Sequence, residues 1–368
     1  MVENFYTLST PILFLLMALE LIYCLMRKKS FIEFEDAVTS LSTGIINQFW
    51  NIWVLSFAYL VYQWIGQFAF FTIEDTPSSF IAAVLLVDFL FYWFHRAGHS
   101  FNFMWAMHSL HHTSRQLNYM MAVRTGTFQR LASILFYWPL AIIGLSPKWL
   151  VLAISFNLVM QFWQHTRVIN KLPGWFESLF NTPSHHRVHH GRQSQYLNKN
   201  YGGIFIIWDK LFGTFQAEKQ APDYGTLTPV YSENPHWINI FYFHKLFVLM
   251  NQLPTWTTRF RFLIGPLSQV ETFIKRYQLE YHEPEWIKST KLTKTTRTTF
   301  ALGLLFIALI QMIIATQFAD QISTGIQFIL FLGTCLVTQV LGNTLNARRK
   351  NRTMHRSLNS EETQIKTA

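Results

Sequence analysis

The sequence predicts an all-α polytopic membrane protein with about seven transmembrane helices and a histidine-rich helical region at one membrane edge. Three observations carry this reading. Half of the 368 residues are hydrophobic and only 14% are charged, against roughly 25% charged in an ordinary soluble domain. The apolar residues come in runs near the roughly 17–25 residues that a helix needs to cross a bilayer. Ten of the 14 histidines lie between His95 and His190. The same composition excludes disorder, collagen and a disulfide scaffold. Cys24 and Cys335 sit far apart in apolar stretches and offer no cysteine-based metal site. The net charge of +10 has no nucleic-acid recognition module beside it, so no nucleic-acid partner is expected. The basic residues instead gather next to apolar segments, as in loops that face anionic lipid.

Seven apolar segments follow in order: Leu8 to Met26, Leu41 to Tyr62, Phe80 to His95, Thr127 to Leu145, Trp149 to His165, Phe300 to Phe318 and Gly325 to Leu345. The third and fifth are short, which a thinned bilayer or an oblique entry allows. The first lacks a basic n-region and is followed by Arg27-Lys28-Lys29, so it reads as a span and not a signal peptide. Those three charges also set the orientation, because basic loops stay in the cytoplasm. The next loop, Thr72 to Pro77, is acidic through Glu74 and Asp75 and falls outside. Arg96, Arg115, Arg124 and Arg130 fall inside, and Lys148 is the one outer basic residue. Asp320 lies between the last two spans, and Arg348-Arg349-Lys350 follows them. The chain divides into N-terminal spans (1–79), a catalytic region (80–230), a cytoplasmic interfacial segment (231–299), a C-terminal hairpin (300–350) and a disordered tail (351–368). Trp175, Phe176, Trp208, Phe212, Phe215, Trp237 and Phe241 suit a segment lying against the membrane.

The histidines all fall at the cytoplasmic edge of this plan. His95 and His99 are one helical turn apart and share a face. His108, His111 and His112 give a pair on one face plus a neighbour turned toward a second centre. His186, His189 and His190 repeat that spacing, with His185 before them and His165 alone at the end of the fifth span. Ten converging imidazoles need a shared proton or metal to satisfy their buried nitrogens. Imidazole suits Zn, Cu, Fe and Ni, and ten ligands exceed the four of a structural zinc. Two redox-capable ions, iron activating O₂, fit the number best. Carboxylates are too few for a carboxylate-bridged site of the four-helix-bundle kind. Asp88, Tyr92, His95 and His99 lie on one stripe, so Asp88 either accepts the far N–H of a ligating imidazole or packs helices. His236, His244, His282 and His355 read as ordinary surface or interface residues.

The ordered series His95-x3-His99, His108-x2-His111-His112 and His186-x2-His189-His190 resembles the fatty acid hydroxylase/sterol desaturase superfamily of membrane di-iron enzymes. Gln161 to Thr166, Asn181 to Gly191, Lys199 to Gly202, Trp208 to Thr214 and Tyr224 to Pro229 are most similar to the alkylglycerol monooxygenase branch. The resemblance implies two Fe ions held at the cytoplasmic face by the boxed histidines and His165. It also implies O₂-dependent hydroxylation of a lipid C–H bond. In that branch the attacked carbon adjoins an ether oxygen, and the hemiacetal breaks to an aldehyde and a glycerol derivative. Its animal enzymes take electrons from tetrahydrobiopterin. Two positions depart from the pattern: Gln161 stands where some relatives carry a ligating His, and Arg115 where many have Glu. Gln161 thereby leaves one ligand position to water or an amide, or open for O₂.

Asp88, Tyr92 and Gln161 are therefore the expected catalytic residues beside the ten histidines, and Arg124, Arg187 and Arg192 the expected partners of a lipid phosphate or carboxylate. No haem, flavin or nicotinamide fingerprint is present, so electrons are expected from a separate donor, tetrahydrobiopterin or another. The alternatives are a sterol or fatty acyl desaturase or hydroxylase on another lipid and, from a different class, a membrane metal transporter or metal-binding protein. A transporter would place its ligands near mid-membrane on broken helices. The membrane would be a bacterial inner membrane or the endoplasmic reticulum.

Overall fold

A computed structural model describes residues 2–284, 294–318 and 321–346. Asp320, Arg348-Arg349-Lys350, His355 and the 351–368 tail lie outside the described residues. The regular structure of the described residues is helical, with isolated bridges such as Phe101 to Pro266 and Phe180 to Phe205 between extended residues. The helices run α1 (Val2–Met26), α2 (Phe34–Gly66), α3 (Pro77–Ser100), α4 (Asn102–His112), α5 (Tyr119–Ala122), α6 (Gln129–Ile143), α7 (Pro147–Phe162) and α8 (Gly174–Leu179). They continue as α9 (Pro183–His189), α10 (Ile207–Leu211), α11 (Pro235–Asn251), α12 (Trp256–Ile264), α13 (Val270–Tyr277), α14 (Lys294–Gln317) and α15 (Thr324–Leu345).

A recurrent start signal fixes where several of these begin. Thr76, Ser146, Thr182 and Asn234 each precede a proline at the first helical position. Proline lacks the N–H that a first turn cannot satisfy, and the side chains of Thr76, Ser146 and Asn234 cap the N–H groups that follow. Thr76 forms a full capping box with Ser79, and Asn234 accepts from the N–H groups of His236 and Trp237.

All seven expected apolar segments are helices. Five of them, α1, α2, α3, α14 and α15, are long and apolar enough to cross a membrane. α6 and α7 have 15 and 16 residues, about 22–24 Å of helix, short of the roughly 30 Å hydrocarbon core. They form a hairpin whose turn is closed by Gly144 at φ +114°; an added Cβ there would strike the Phe71 carbonyl. α3 runs past the expected end at His95 to Ser100, because the polar stretch Arg96 to Ser100 continues the helix toward the site.

Two of the apolar cores hold the long helices together. One packs α2, α3, α6 and α7 through Val54, Tyr62, Val87, Tyr137, Leu140 and Leu150. The other packs α14 and α15 against α2 through Phe49, Ala301, Leu305, Ala308 and Leu341. Large apolar side chains point outward from the long helices, including Leu25, Leu60, Trp64, Phe306, Ile329 and Leu336. An exposed apolar surface of this extent belongs in lipid, and the protein is an integral membrane protein. α2 spans 33 residues, about 50 Å, so one end outruns the hydrocarbon. Its first turns carry Asp36 and Ser40, which bond to Arg124 beside the histidine region, as well as Glu35, which pairs with Arg297, and Thr39, which bonds to Glu233.

Candidate metal centre

The histidines form two adjacent clusters. His95 and His99 from α3, His108 and His112 from α4 and His189 from α9 make the first, and His111, His165, His186 and His190 make the second. Within each, one ring nitrogen per residue lies within 4.8 Å of all the others. The two triplets divide in opposite senses. α4 gives two ligands to the first cluster and one to the second, whereas the α9 segment gives one to the first and two to the second. The i, i+3, i+4 spacing requires this, because the middle residue of each triplet points about 60–100° away from the pair. The rings of His112 and His190 stack across the boundary at 4.4 Å.

The tautomers are fixed from outside. His111 Nδ1 donates to the Arg124 carbonyl at 2.9 Å and His165 Nδ1 to the Gln161 carbonyl at 3.0 Å. A carbonyl only accepts, so both rings carry their proton on Nδ1 and present a bare lone pair at Nε2. Those two lone pairs face each other at 3.1 Å. The first cluster repeats the arrangement. His95 Nδ1 donates to the Tyr201 carbonyl (2.9 Å) and His108 Nδ1 to Gln129 Oε1 (3.2 Å), while their Nε2 atoms meet at 3.1 Å. His189 Nδ1 donates to the Lys199 carbonyl at 3.0 Å, and its buried Nε2 has no hydrogen-bond partner. His99 Nε2 is likewise buried and unpartnered. Facing lone pairs without a proton between them repel, and unpaired buried nitrogens are costly. A cation at each cluster removes both penalties, so the donor set fits metal.

Burial and neighbouring imidazoles hold His108, His112, His165, His186, His189 and His190 well below the usual imidazole pKa. Burial lowers His111 to about 4. Neutral imidazole is the form that ligates metal.

The expected residues outside the clusters fall elsewhere. Asp88 touches no imidazole. It accepts from Ile204 N (2.6 Å), Phe205 N (3.1 Å), Trp208 Nε1 (2.9 Å) and Asn157 Nδ2 (2.6 Å). It thus clamps the loop that carries Tyr201, the acceptor of His95. Gly203 permits this approach, since a Cβ there would lie 2.5 Å from Asp88 Oδ1. Tyr92 hydroxyl bonds to Thr214 Oγ1 and Arg96 (both 3.0 Å), away from the ring nitrogens. Gln161 contributes its carbonyl to His165, while its amide donates to Asn157 Oδ1 at 2.6 Å.

His185 belongs to neither cluster. It lies beside Glu177 and Phe215 and lines a cavity of about 220 Å³ with Lys171 and Lys210. One residue before His186 is a rotation of about 100° on a helix, which turns it to the other face of α9. Arg124 is buried and bonds to Asp36, Ser40 and Thr113. Arg187 is buried in a two-pronged pair with Glu218 and donates to the Thr166 and Ile169 carbonyls. Both guanidiniums are taken by protein acceptors, so neither faces a lipid head group. Arg192, half exposed, pairs with Asp223.

Sequence reasoning missed the supports of the loop from Lys199 to Gly202. Asn200, at φ +57°, donates to the His185 and Gln216 carbonyls. Asp209, whose pKa burial pushes up, accepts from Tyr201 N, Gly202 N and Thr214 Oγ1. Both lie in segments already noted for their resemblance, but nothing local gave them a role.

Residues 80–214 match the family described as fatty acid hydroxylase, and this stretch contains every histidine of both clusters. The chain therefore carries a fatty acid hydroxylase domain over residues 80–214. It is 38% identical over 288 residues to human alkylglycerol monooxygenase, covering 77% of this chain and 60% of that protein. The Danio rerio alkylglycerol monooxygenase is 38% identical over 232 residues, 62% of this chain and 52% of its own. An ornithine lipid hydroxylase of Rhizobium tropici is 28% identical over 148 residues, 39% of this chain and 44% of its own. The chain thus spans between about half and 60% of the length of the alkylglycerol monooxygenases named. No solved structure matches.

Proposed function

We propose that the protein is a membrane lipid monooxygenase that holds two iron ions, one in each histidine cluster, and hydroxylates a C–H bond of a lipid chain. The observation that carries this reading is the pair of clusters with outward Nδ1–H groups and converging Nε2 lone pairs. The preferred substrate is an alkyl ether of glycerol, as the names of the relatives indicate. Hydroxylation next to the ether oxygen gives a hemiacetal, which opens to an aldehyde and the free glycerol hydroxyl. The balance is one C–H, one O₂, two electrons and two protons, giving C–OH and water. The electrons come from a separate donor, for which tetrahydrobiopterin is the first candidate. The active face is cytoplasmic, on the side of Arg27-Lys28-Lys29.

When bound, the iron supplies the activation of O₂. The protein's own part is placement. Five histidines in one cluster and four in the other fix the ligand nitrogens. The carbonyls of Arg124, Gln161, Lys199 and Tyr201 hold the rings in one tautomer. Phe91 and Tyr201, both buried, close the first cluster against water by ring contacts with His95. The site lies at the end of the continuous helix α3 and on loops beyond α7, unlike the mid-membrane broken helices of a transporter.

Metal analysis of detergent-purified protein tests the reading together with lipid turnover. About two irons per chain and conversion of an alkylglycerol to aldehyde are expected. Zinc without redox activity, or lipid oxidation surviving in His112→Ala, would overturn it.

A further inference from the structure

Three aromatic rings other than histidine contact the clusters among the described residues: Phe91, Tyr201 and Trp105. Phe91 and Tyr201 are buried, whereas Trp105 is partly exposed. Its ring lies 5.1 Å from that of His99 and 5.5 Å from that of His112, the latter tilted by 32°. It stands on the same α4 stripe as His108 and His112, at i, i+3 and i+7. The ligands beside it are the most exposed of the first cluster, His99 at 8% and His112 at 6%, against 4% for His95 and His189. Trp105 is thus the partly exposed one of the three rings that contact the otherwise buried first cluster.

The exposed side chains that precede Trp105 are apolar. Phe101 and Phe103, at the start of α4, are exposed at 45% and 40%. The first residue of α4 is tied to α12, because Asn102 Nδ2 donates to the Phe262 carbonyl at 2.7 Å and its N–H to the Gly265 carbonyl at 3.0 Å. α12 turns Phe262 inward and exposes Trp256, Phe260 and Ile264, an i, i+4, i+8 stripe suited to a lipid surface. Among the described residues, the Trp105 ring has one further aromatic contact besides the histidines, with Tyr242 at 6.4 Å.

We propose that Trp105 is the specificity-determining wall past which a single long alkyl chain slides from the bilayer to the first cluster, and that its indole sets which chain carbon stops there. The inference rests on the lipid-oxygenase reading and adds the route and the residue that measures the chain. Removing the indole takes away the surface that stops the chain, so the chain is held less tightly and at more than one depth. Because placement errors of about 1 Å change rates by about 100-fold, the depth of the chain decides the product.

Two experiments on the full iron-loaded chain in nanodiscs test it. In the first, Trp105→Ala raises KM for hexadecylglycerol about tenfold or more and spreads oxidation over more than one chain position, while Trp105→Phe stays near wild type and iron content is unchanged in both. If Trp105→Ala instead loses iron and kcat together with KM and product position unchanged, Trp105 only braces the ligands and the proposal falls. The second needs no turnover. A hexadecylglycerol carrying a diazirine on its chain is photolysed with the protein, and adducts are mapped with and without excess unlabelled hexadecylglycerol. Competable adducts on residues 101–108 support the route, and competable adducts confined to other segments overturn it. Failure of the wild type to oxidise any lipid would count against the oxygenase reading, while the adduct map would still report on Trp105.

Discussion

Replacing Asp88 with asparagine changes one atom of a fully buried side chain and isolates its role. All four partners of the carboxylate are donors: Ile204 N and Asn157 Nδ2 on Oδ1, Phe205 N and Trp208 Nε1 on Oδ2. An amide keeps one acceptor oxygen and turns two N–H groups toward the other pair of donors, whichever way it is flipped. Two charge-assisted bonds are lost, each worth about 1.5–3 kcal/mol, so the change costs roughly 3–6 kcal/mol. That is a large share of the 5–15 kcal/mol typical of a folded domain. The loop released is the one whose Tyr201 carbonyl orients His95, so the damage reaches the first cluster. The expected result is a clear drop in melting temperature in detergent and a loss of bound iron by elemental analysis. Asp88→Asn with wild-type melting and full iron content would refute the clamp.

Gly203→Ala attacks the same contact from the other side, with its Cβ 2.5 Å from Asp88 Oδ1, and metal content is expected to fall as it does in Asp88→Asn. Arg124→Met leaves Asp36, its partner at 2.8 Å, without a counter-charge. Breaking a buried pair costs about 3–5 kcal/mol, so thermal melting should drop sharply; a near-wild-type transition would return Arg124 to the list of substrate partners. The metal-free protein should lose stability in acid. His111 is lowered to about 4 from an unfolded value near 6.5, so the unfolded chain binds the extra proton first. Its contribution is present above about pH 6.5 and is lost as pH falls toward 4, at up to about 1.4 kcal/mol per unit for each such histidine. A melting temperature that is flat between pH 7 and 4.5 would contradict this. His185→Ala, outside both clusters, should retain the wild-type iron content on elemental analysis.

The histidine allocation was legible because it is local. The spacing of His108, His111 and His112 already separates a pair from a third ring, and the structure divides them that way. Roles that depend on distant partners were not legible. Arg124 finds Asp36 at a separation of 88 residues, and Asp88 finds Phe205 at 117. In sequence both look like a loop charge and a helix-stripe carboxylate. His185 was misjudged for the opposite reason: it is next to three ligands in sequence, and only the direction of the α9 face excludes it. The membrane helices were recovered as segments, but their ends were not. Hydropathy stops at polar residues such as His95, where the backbone of α3 continues to Ser100.

The divided triplets have a consequence for how the protein acquires its metal. α4 and the α9 segment each place side chains in both clusters, so neither can move without disturbing both. With two ions bound as proposed, an ion entering one cluster would immobilise α4 and the α9 segment, and the ordering cost of the other would then already be met. The two occupancies would be thermodynamically coupled, and by linkage the coupling would be the same in either order. Singly loaded molecules should be scarce during titration, and a ligand lost from either cluster should weaken both.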